Sequence, residues 1–186
     1  TRLEDAGLLQ ESDGARCVFL DEFVGKDGEP LPVIIQKTDG GFLYATTDLA
    51  AVDYRCHELN ADRSLYVVDA RQSLHFQQVF RCLELMGYEQ VKKCFHCAYA
   101  QVILPDGKMS SRKGTVILMS TLKERLLSKI HADFLDKYKE EWSDEERHET
   151  ARRIALATMR YGMLNVDNNS VVLFAIEAWT SKTGNP

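Results

Sequence analysis

Residues 38–60, TDGGFLYATTDLAAVDYRCHELN, and residues 64–80, SLYVVDARQSLHFQQVF, decide how this chain folds. In the first stretch a glycine turn leads into the short apolar run FLYA (42–45), read as a strand. TTD (46–48) then offers cap-type side chains for a helix with Leu49, Val52, Cys56 and Leu59 on one stripe. In the second, SLYVVDA (64–70) is a mostly apolar strand and Ser73 can cap the helix that follows. That helix turns Phe76, Val79, Phe80 and Leu83 inward, and Gly87 stands near its end. FHCAYAQVIL (95–104) reads as one further strand. Strand and helix therefore alternate from residue 40 to 104, the pattern of an α/β protein with a parallel, doubly wound sheet.

Upstream, residues 1–36 read as a short helix followed by a hairpin, in which ARCVFL (15–20) and LPVIIQ (31–36) flank the glycine-rich turn GKDGEP. Downstream the pattern changes near residue 120. After TVILM (115–119), Ser120 opens a helix that continues through TLKERLLSKIHADFLDKY (121–138). The charged stretch KEEWSDEERHE (139–149) separates it from a second helix, ARRIALATMRYGMLN (151–165), with Ser143 and Glu146 spaced as a capping box. SVVLF (170–174) is a last short apolar run.

Composition narrows the function classes. The chain has 186 residues and 45% hydrophobic content, enough for a real core, and no apolar run approaches a membrane span. A net charge of −5 argues against a generally basic nucleic-acid coat and leaves room only for local cationic patches. Five cysteines, an odd number without a regular framework, fit a reducing compartment, so a cytoplasmic protein is expected. CFHC (94–97) has the CxxC spacing, but no second pair completes a four-ligand zinc site, and buried thiols on a strand are the preferred reading. No protein-held metal is expected.

In a parallel sheet, ligands collect beyond the carboxyl ends of the strands. The segments placed there are ATTD (45–48), DARQSLH (69–75) and PDGKMSSRKG (105–114), which carry most of the polar chemistry of the region. The last holds Lys108, Arg112 and Lys113 beside Ser110 and Ser111. It is not a Walker loop, because the order is Lys113-Gly114-Thr115 and the spacing from Gly107 is wrong. A cationic loop between two strands suits an extended polyphosphate whose charge is balanced transiently; alone, it would equally be an exposed basic turn.

KMSSRKG (108–114) resembles the KMSKS signature of class I aminoacyl-tRNA synthetases. DGGFLYATTDLAAVDYR (39–55), VVDARQSLHFQQVF (67–80) and ALATMRYGMLN (155–165) resemble the arginyl-tRNA synthetase family, in order along essentially the whole chain. The resemblance implies the second half of a Rossmann-like parallel-sheet domain followed by a mainly helical segment. It implies that arginine is activated with ATP, accompanied by Mg2+, and passed to the 3′ end of tRNA(Arg). It assigns Tyr44, Asp48 and Gln72 to the arginine side chain, and His75, Ala100, Val102, Lys108, Met109, Ser110 and Ser111 to ATP. Lys108, Arg112 and Lys113 become the catalytic cations, with Ser111 where the signature has its second lysine. Arginine is a permanently charged planar fork, so a carboxylate such as Asp48 is the natural acceptor; as residues alone, Asp48 could be a helix cap and Tyr44 core. Arg152, Arg153 and Arg160 offer either a phosphate-facing or a merely solvated helix face.

The family's HIGH-type motif does not occur in this sequence. The expectation is therefore a fragment: a hairpin-containing connective segment (1–36), the second half of the nucleotide-binding domain (37–119), and a helical segment (120–186) leading towards an anticodon-binding domain. Such a fragment is expected to be inactive alone, and its parent to be a monomer that does not enter membranes. A non-catalytic synthetase-like binding module, or another nucleotidylyltransferase of the same fold, are the alternatives.

Overall fold

The computed structural model describes residues 2–104 and 118–181. The chain divides into two compact units, residues 1–99 and 100–186. Each is described separately.

In the first unit, helix α1 (Arg2–Asp5) precedes a three-stranded antiparallel sheet of β1 (Leu9–Ser12), β2 (Ala15–Val18) and β3 (Val33–Gln36), in that order. The expected hairpin is the β2–β3 pair, with Cys17 opposite Ile34. Strand β1 has no counterpart in the sequence reading. It is short, and only a two-residue turn with positive φ at Asp13 and Gly14 separates it from β2.

Helix α2 (Tyr44–His57) begins earlier than expected. The run FLYA is not a strand: Phe42 makes one isolated bridge to Gln36, Leu43 is extended, and Tyr44 is already helical. TTD does not cap it either. The Thr46 hydroxyl donates to the carbonyl of Ile35 on β3, and the Thr47 hydroxyl donates to the Tyr44 carbonyl, so both are engaged elsewhere. Leu49 and Val52 are buried as read, Cys56 is half-buried, and Leu59 lies beyond the helix and exposed.

Strands β4 (Ser64–Asp69) and β5 (Cys94–Tyr99) pair in parallel, Ser64 against Cys94 through Asp69 against Tyr99. Helix α3 (Ser73–Leu85) connects them, burying Phe76, Val79, Cys82 and Leu83; Ser73 is its first residue and not its cap, which is Gln72, because the Ser73 hydroxyl donates to the Ala70 carbonyl (2.7 Å). It ends where Tyr88 N–H bonds to Leu83 O (2.9 Å) and Gly87 N–H to Glu84 O (2.9 Å). That reciprocal pair is a Schellman turn, and it requires the φ of +81° that Gly87 adopts without steric cost. One core joins β2, β3, α2, α3, β4 and β5 through Val18, Ile35, Leu49, Val52, Tyr66, Phe76, Val79 and Cys94.

The strand expected over 95–104 is broken. β5 stops at Tyr99, and the short β6 (Val102–Ile103) pairs in parallel with β7 (Val172–Leu173) in the second unit. The run SVVLF supplies β7 as expected. Helix α4 (Met119–Ile130) starts after an extended Leu118 and passes into a wider turn at His131–Leu135 and a tighter one at Asp136–Tyr138, so the helix read through 138 is interrupted. Helix α5 (Asp144–Leu164) carries the complete capping box of Ser143 and Glu146, and α6 (Ile176–Trp179) is a single turn. Leu122, Leu126 and Ile130 of α4 pack with Ala151 and Ala155 of α5 and with Val172, Phe174 and Trp179. The small alanines allow the two helices to approach closely.

Candidate active site

Parallel pairing brings Asp69 and Tyr99 side by side at the carboxyl ends of β4 and β5. The backbone then takes one tight turn, Ala70–Gln72, before α3 begins. Asp69 shapes that turn by accepting from the Arg71 N–H (2.8 Å). The Arg71 guanidinium also forks onto the Asp69 carboxylate, at 3.0 Å from Nε and 2.8 Å from Nη2. These hydrogen bonds, the Arg71 side chain's first and its N–H's second, hold the Asp69 carboxyl below the usual aspartate range. The turn delivers Gln72, exposed, to the cap position of α3, and His75 to its first turn.

The amino-terminal turn of α2 supplies the other wall. Tyr44 is 83% exposed at the first helical position. Asp48, one turn later on the same face, is half-buried, and its Oδ2 lies 2.6 Å from His75 Nε2. This bond joins α2 to α3 across 27 residues of sequence. Below it, the ring of His75 meets Phe76 edge-on with centroids 5.0 Å apart, and Phe76 packs against His96 of β5 at 4.7 Å. His96 Nε2 is 3.1 Å from the Val68 carbonyl, to which it donates. Phe76 also contacts Tyr66, whose hydroxyl burial pushes upward while neighbouring Arg55 opposes the shift.

Of the sequence-read site residues, the structure brings Asp48 and His75 into contact and places Tyr44 and Gln72 at the starts of the same two helices. Ala100 and Val102 belong to the second unit, where the Ala100 N–H donates to Asn168 O (2.7 Å) and Val102 pairs with Val172. Lys108, Met109, Ser110, Ser111, Arg112 and Lys113 lie outside the described residues. On α5, Arg152 (2.7 and 3.1 Å) and Arg153 (2.8 Å) converge on Glu149, which partly neutralises the cationic face read there. Cys94 is buried on β5 and Cys97 half-buried; three positions apart on a strand, their side chains leave opposite faces. Among the described residues no cluster of three or more metal-ligating side chains occurs. Sequence reading missed the Asp48–His75 bond, which no spacing signals, and the Asp69–Arg71 fork, which the adjacent DAR triplet could have suggested.

Ligands of α/β units collect beyond the carboxyl ends of parallel strands, and Asp69, Gln72 and His75 lie there in succession from the end of β4. Residues 1–174 match the family described as tRNA synthetases class I (R), catalytic domain. The chain belongs to that family. Among relatives of this class I synthetase segment, a protein of Shewanella amazonensis named arginine–tRNA ligase is 45% identical over 186 residues, covering 98% of this chain and 32% of the relative. A Bdellovibrio bacteriovorus protein of the same name is 40% identical over 181 residues, covering 96% of this chain and 30% of the relative. The solved Thermus thermophilus arginyl-tRNA synthetase superposes with a TM-score of 0.77 at 21% identity, over 98% of this chain and 36% of that one, and this likeness speaks for the fold. The expected α/β fold of a class I synthetase is thereby borne out. The chain spans about a third of the length of the relatives it matches.

Proposed function

We propose that this chain is the later part of the catalytic domain of an arginine–tRNA ligase. The observation that carries the reading is the family match over residues 1–174, which includes the helices bearing Tyr44, Asp48, Gln72 and His75. In the first step an arginine carboxylate oxygen attacks the α-phosphorus of ATP; the bond to the β,γ-diphosphate breaks, giving arginyl-adenylate and pyrophosphate. In the second, a hydroxyl of the terminal tRNA ribose attacks the acyl carbon and AMP leaves. No protein nucleophile is needed, so the chain's task is alignment and charge compensation.

Asp48 accepts charge-assisted hydrogen bonds from the substrate guanidinium, Tyr44 sets its ring and hydroxyl beside them, and Gln72 adds a neutral polar contact from α3. Lys108, Arg112 and Lys113 offset the charge that develops on pyrophosphate, Met109, Ser110 and Ser111 contribute to binding ATP, and the backbone near Ala100 and Val102 faces the adenine. ATP enters with magnesium as its counter-ion. Residues 1–36 connect, residues 37–119 form the second half of the nucleotide-binding domain, and residues 120–186 lead towards an anticodon-binding domain; the parent acts as a cytoplasmic monomer on tRNA(Arg). The test is arginine-dependent ATP–pyrophosphate exchange. The full-length protein is expected to catalyse it and the 186-residue chain alone is not; exchange by the isolated chain would refute the assignment of a partial catalytic domain.

A further inference from the structure

From the start of its helix His75 can reach a nucleotide or the amino acid, and the resemblance groups it with ATP; the structure turns its Nε2 towards Asp48 at 2.6 Å. We propose that His75 is a positioning residue for arginine recognition, holding the Asp48 carboxylate in the orientation that receives the guanidinium. The inference deepens the proposed function and rests on its reading of Asp48 as the guanidinium acceptor.

Three features carry it. The bond is short and its acceptor is ionisable, and such hydrogen bonds are both stronger and more directional than neutral ones. Its two ends stand on different helices, so it fixes the mouth between α2 and α3 as well as the rotamer of Asp48. The imidazole is itself held: it lies edge-on to Phe76, which is 4% exposed and packed between Tyr66 and His96. An isolated carboxylate on a helix face samples several rotamers, whereas a planar two-pronged substrate needs one.

Histidine suits this task better than a stronger cation would. A ring nitrogen offers Asp48 a single directed N–H, while the several donors and fixed charge of lysine or arginine in its place would compete with the ligand. Among the described residues His75 is the one side-chain partner of Asp48, so Oδ1 and a second lone pair of Oδ2 stay available to accept the fork. The arrangement predicts a residue whose loss is felt at the arginine site and not at the nucleotide.

The test uses the full-length protein and ATP–pyrophosphate exchange, with KM measured separately for arginine and ATP in His75→Phe, His75→Ala, His75→Gln and Asp48→Ala. His75→Phe and His75→Ala are expected to raise the arginine KM about tenfold with the ATP KM unchanged. His75→Gln, whose amide nitrogen reaches the place of Nε2, is expected to restore most of it, and His75→Phe in the Asp48→Ala background to add nothing further. An ATP KM that rises instead, or an arginine KM that stays level or falls when the imidazole is removed, would overturn the proposal. Should His75→Phe fail to fold, the difference between His75→Ala and His75→Gln decides the same point. The failures are separable: if Asp48→Ala leaves arginine binding intact, the underlying reading of Asp48 is wrong; if only the His75 variants are silent, this inference alone is wrong.

Discussion

The hydroxyl of Thr46 on α2 donates to the carbonyl of Ile35 on β3. This bond ties the helical turn carrying Tyr44 and Asp48 to the neighbouring strand, where Ile35 is buried. Thr46→Val keeps the shape of the side chain and deletes the donor, leaving a backbone carbonyl short of a partner. The expected cost is about 1 kcal/mol in denaturant unfolding of the chain, with a raised arginine KM and an unaltered ATP KM in the full-length protein. An unchanged urea midpoint would show that the bond contributes nothing to holding the turn.

Gly162 on α5 lies against the indole of Trp179, where an added β-carbon would stand 2.7–2.8 Å from three ring atoms. On an open helix face Gly→Ala stabilises by roughly 0.8–1 kcal/mol through backbone entropy. Here the sign reverses, because the ring is packed between Phe174 and the helix and has little room to retreat. Gly162→Ala is predicted to destabilise by about 1–3 kcal/mol in thermal or chemical unfolding, and Trp179→Leu in the same chain to recover part of the loss.

Acid should loosen the start of α5. The Glu149 carboxyl is held at about 2, first by the Arg152 side chain and then by Arg153, and Glu146 is held below its ordinary value by Ser143. A carboxyl lowered on folding contributes stability that is complete above its unfolded value and is lost as pH falls through the folded one. The window therefore runs from about pH 4.5 down to about pH 2. Both groups are at the surface, so the effect is small and screened by salt. Urea midpoints across this window should fall less steeply in Glu149→Gln than in the parent sequence.

One face of the β4–β5 pair is open: Leu65, Val67 and Phe95 are 60, 66 and 45% exposed. Parallel strands are normally covered on both faces, and an apolar strip of this kind binds hydrophobic dyes and promotes association. Leu65→Lys with Val67→Thr is expected to reduce dye binding and light scattering of the isolated chain while its far-ultraviolet circular dichroism stays the same. Unchanged dye binding would mean that the strip is shielded in solution.

How far the sequence reveals such features depends on whether the cause is local. The α3 segment is legible because a 3.6-residue stripe and Gly87 at its end agree, although Ser73 does not cap it, and the Ser143–Glu146 capping box is legible because its two partners are three positions apart. FLYA misleads because its four apolar residues carry no period, and neither threonine after it caps the helix: Thr46 bonds to Ile35 on β3 and Thr47 back to Tyr44. The break after Tyr99 depends on β7, more than 70 residues away, and nothing local in FHCAYAQVIL encodes it. At the candidate site the residue types and the place of His75 at the start of α3 could be read from the sequence; the helical place of Tyr44 and the Asp48–His75 bond, made by tertiary packing, could not.

In the proposed function Asp48, at the start of α2, receives the guanidinium of arginine. The most direct measurement is the KM for arginine in ATP–pyrophosphate exchange by the full-length protein with Asp48→Ala, beside the KM for ATP. Removing the acceptor of a partly buried, charge-assisted pair should lower kcat/KM for arginine about a hundredfold or more, with the ATP KM within twofold of the parent. An arginine KM unchanged by Asp48→Ala would contradict the account.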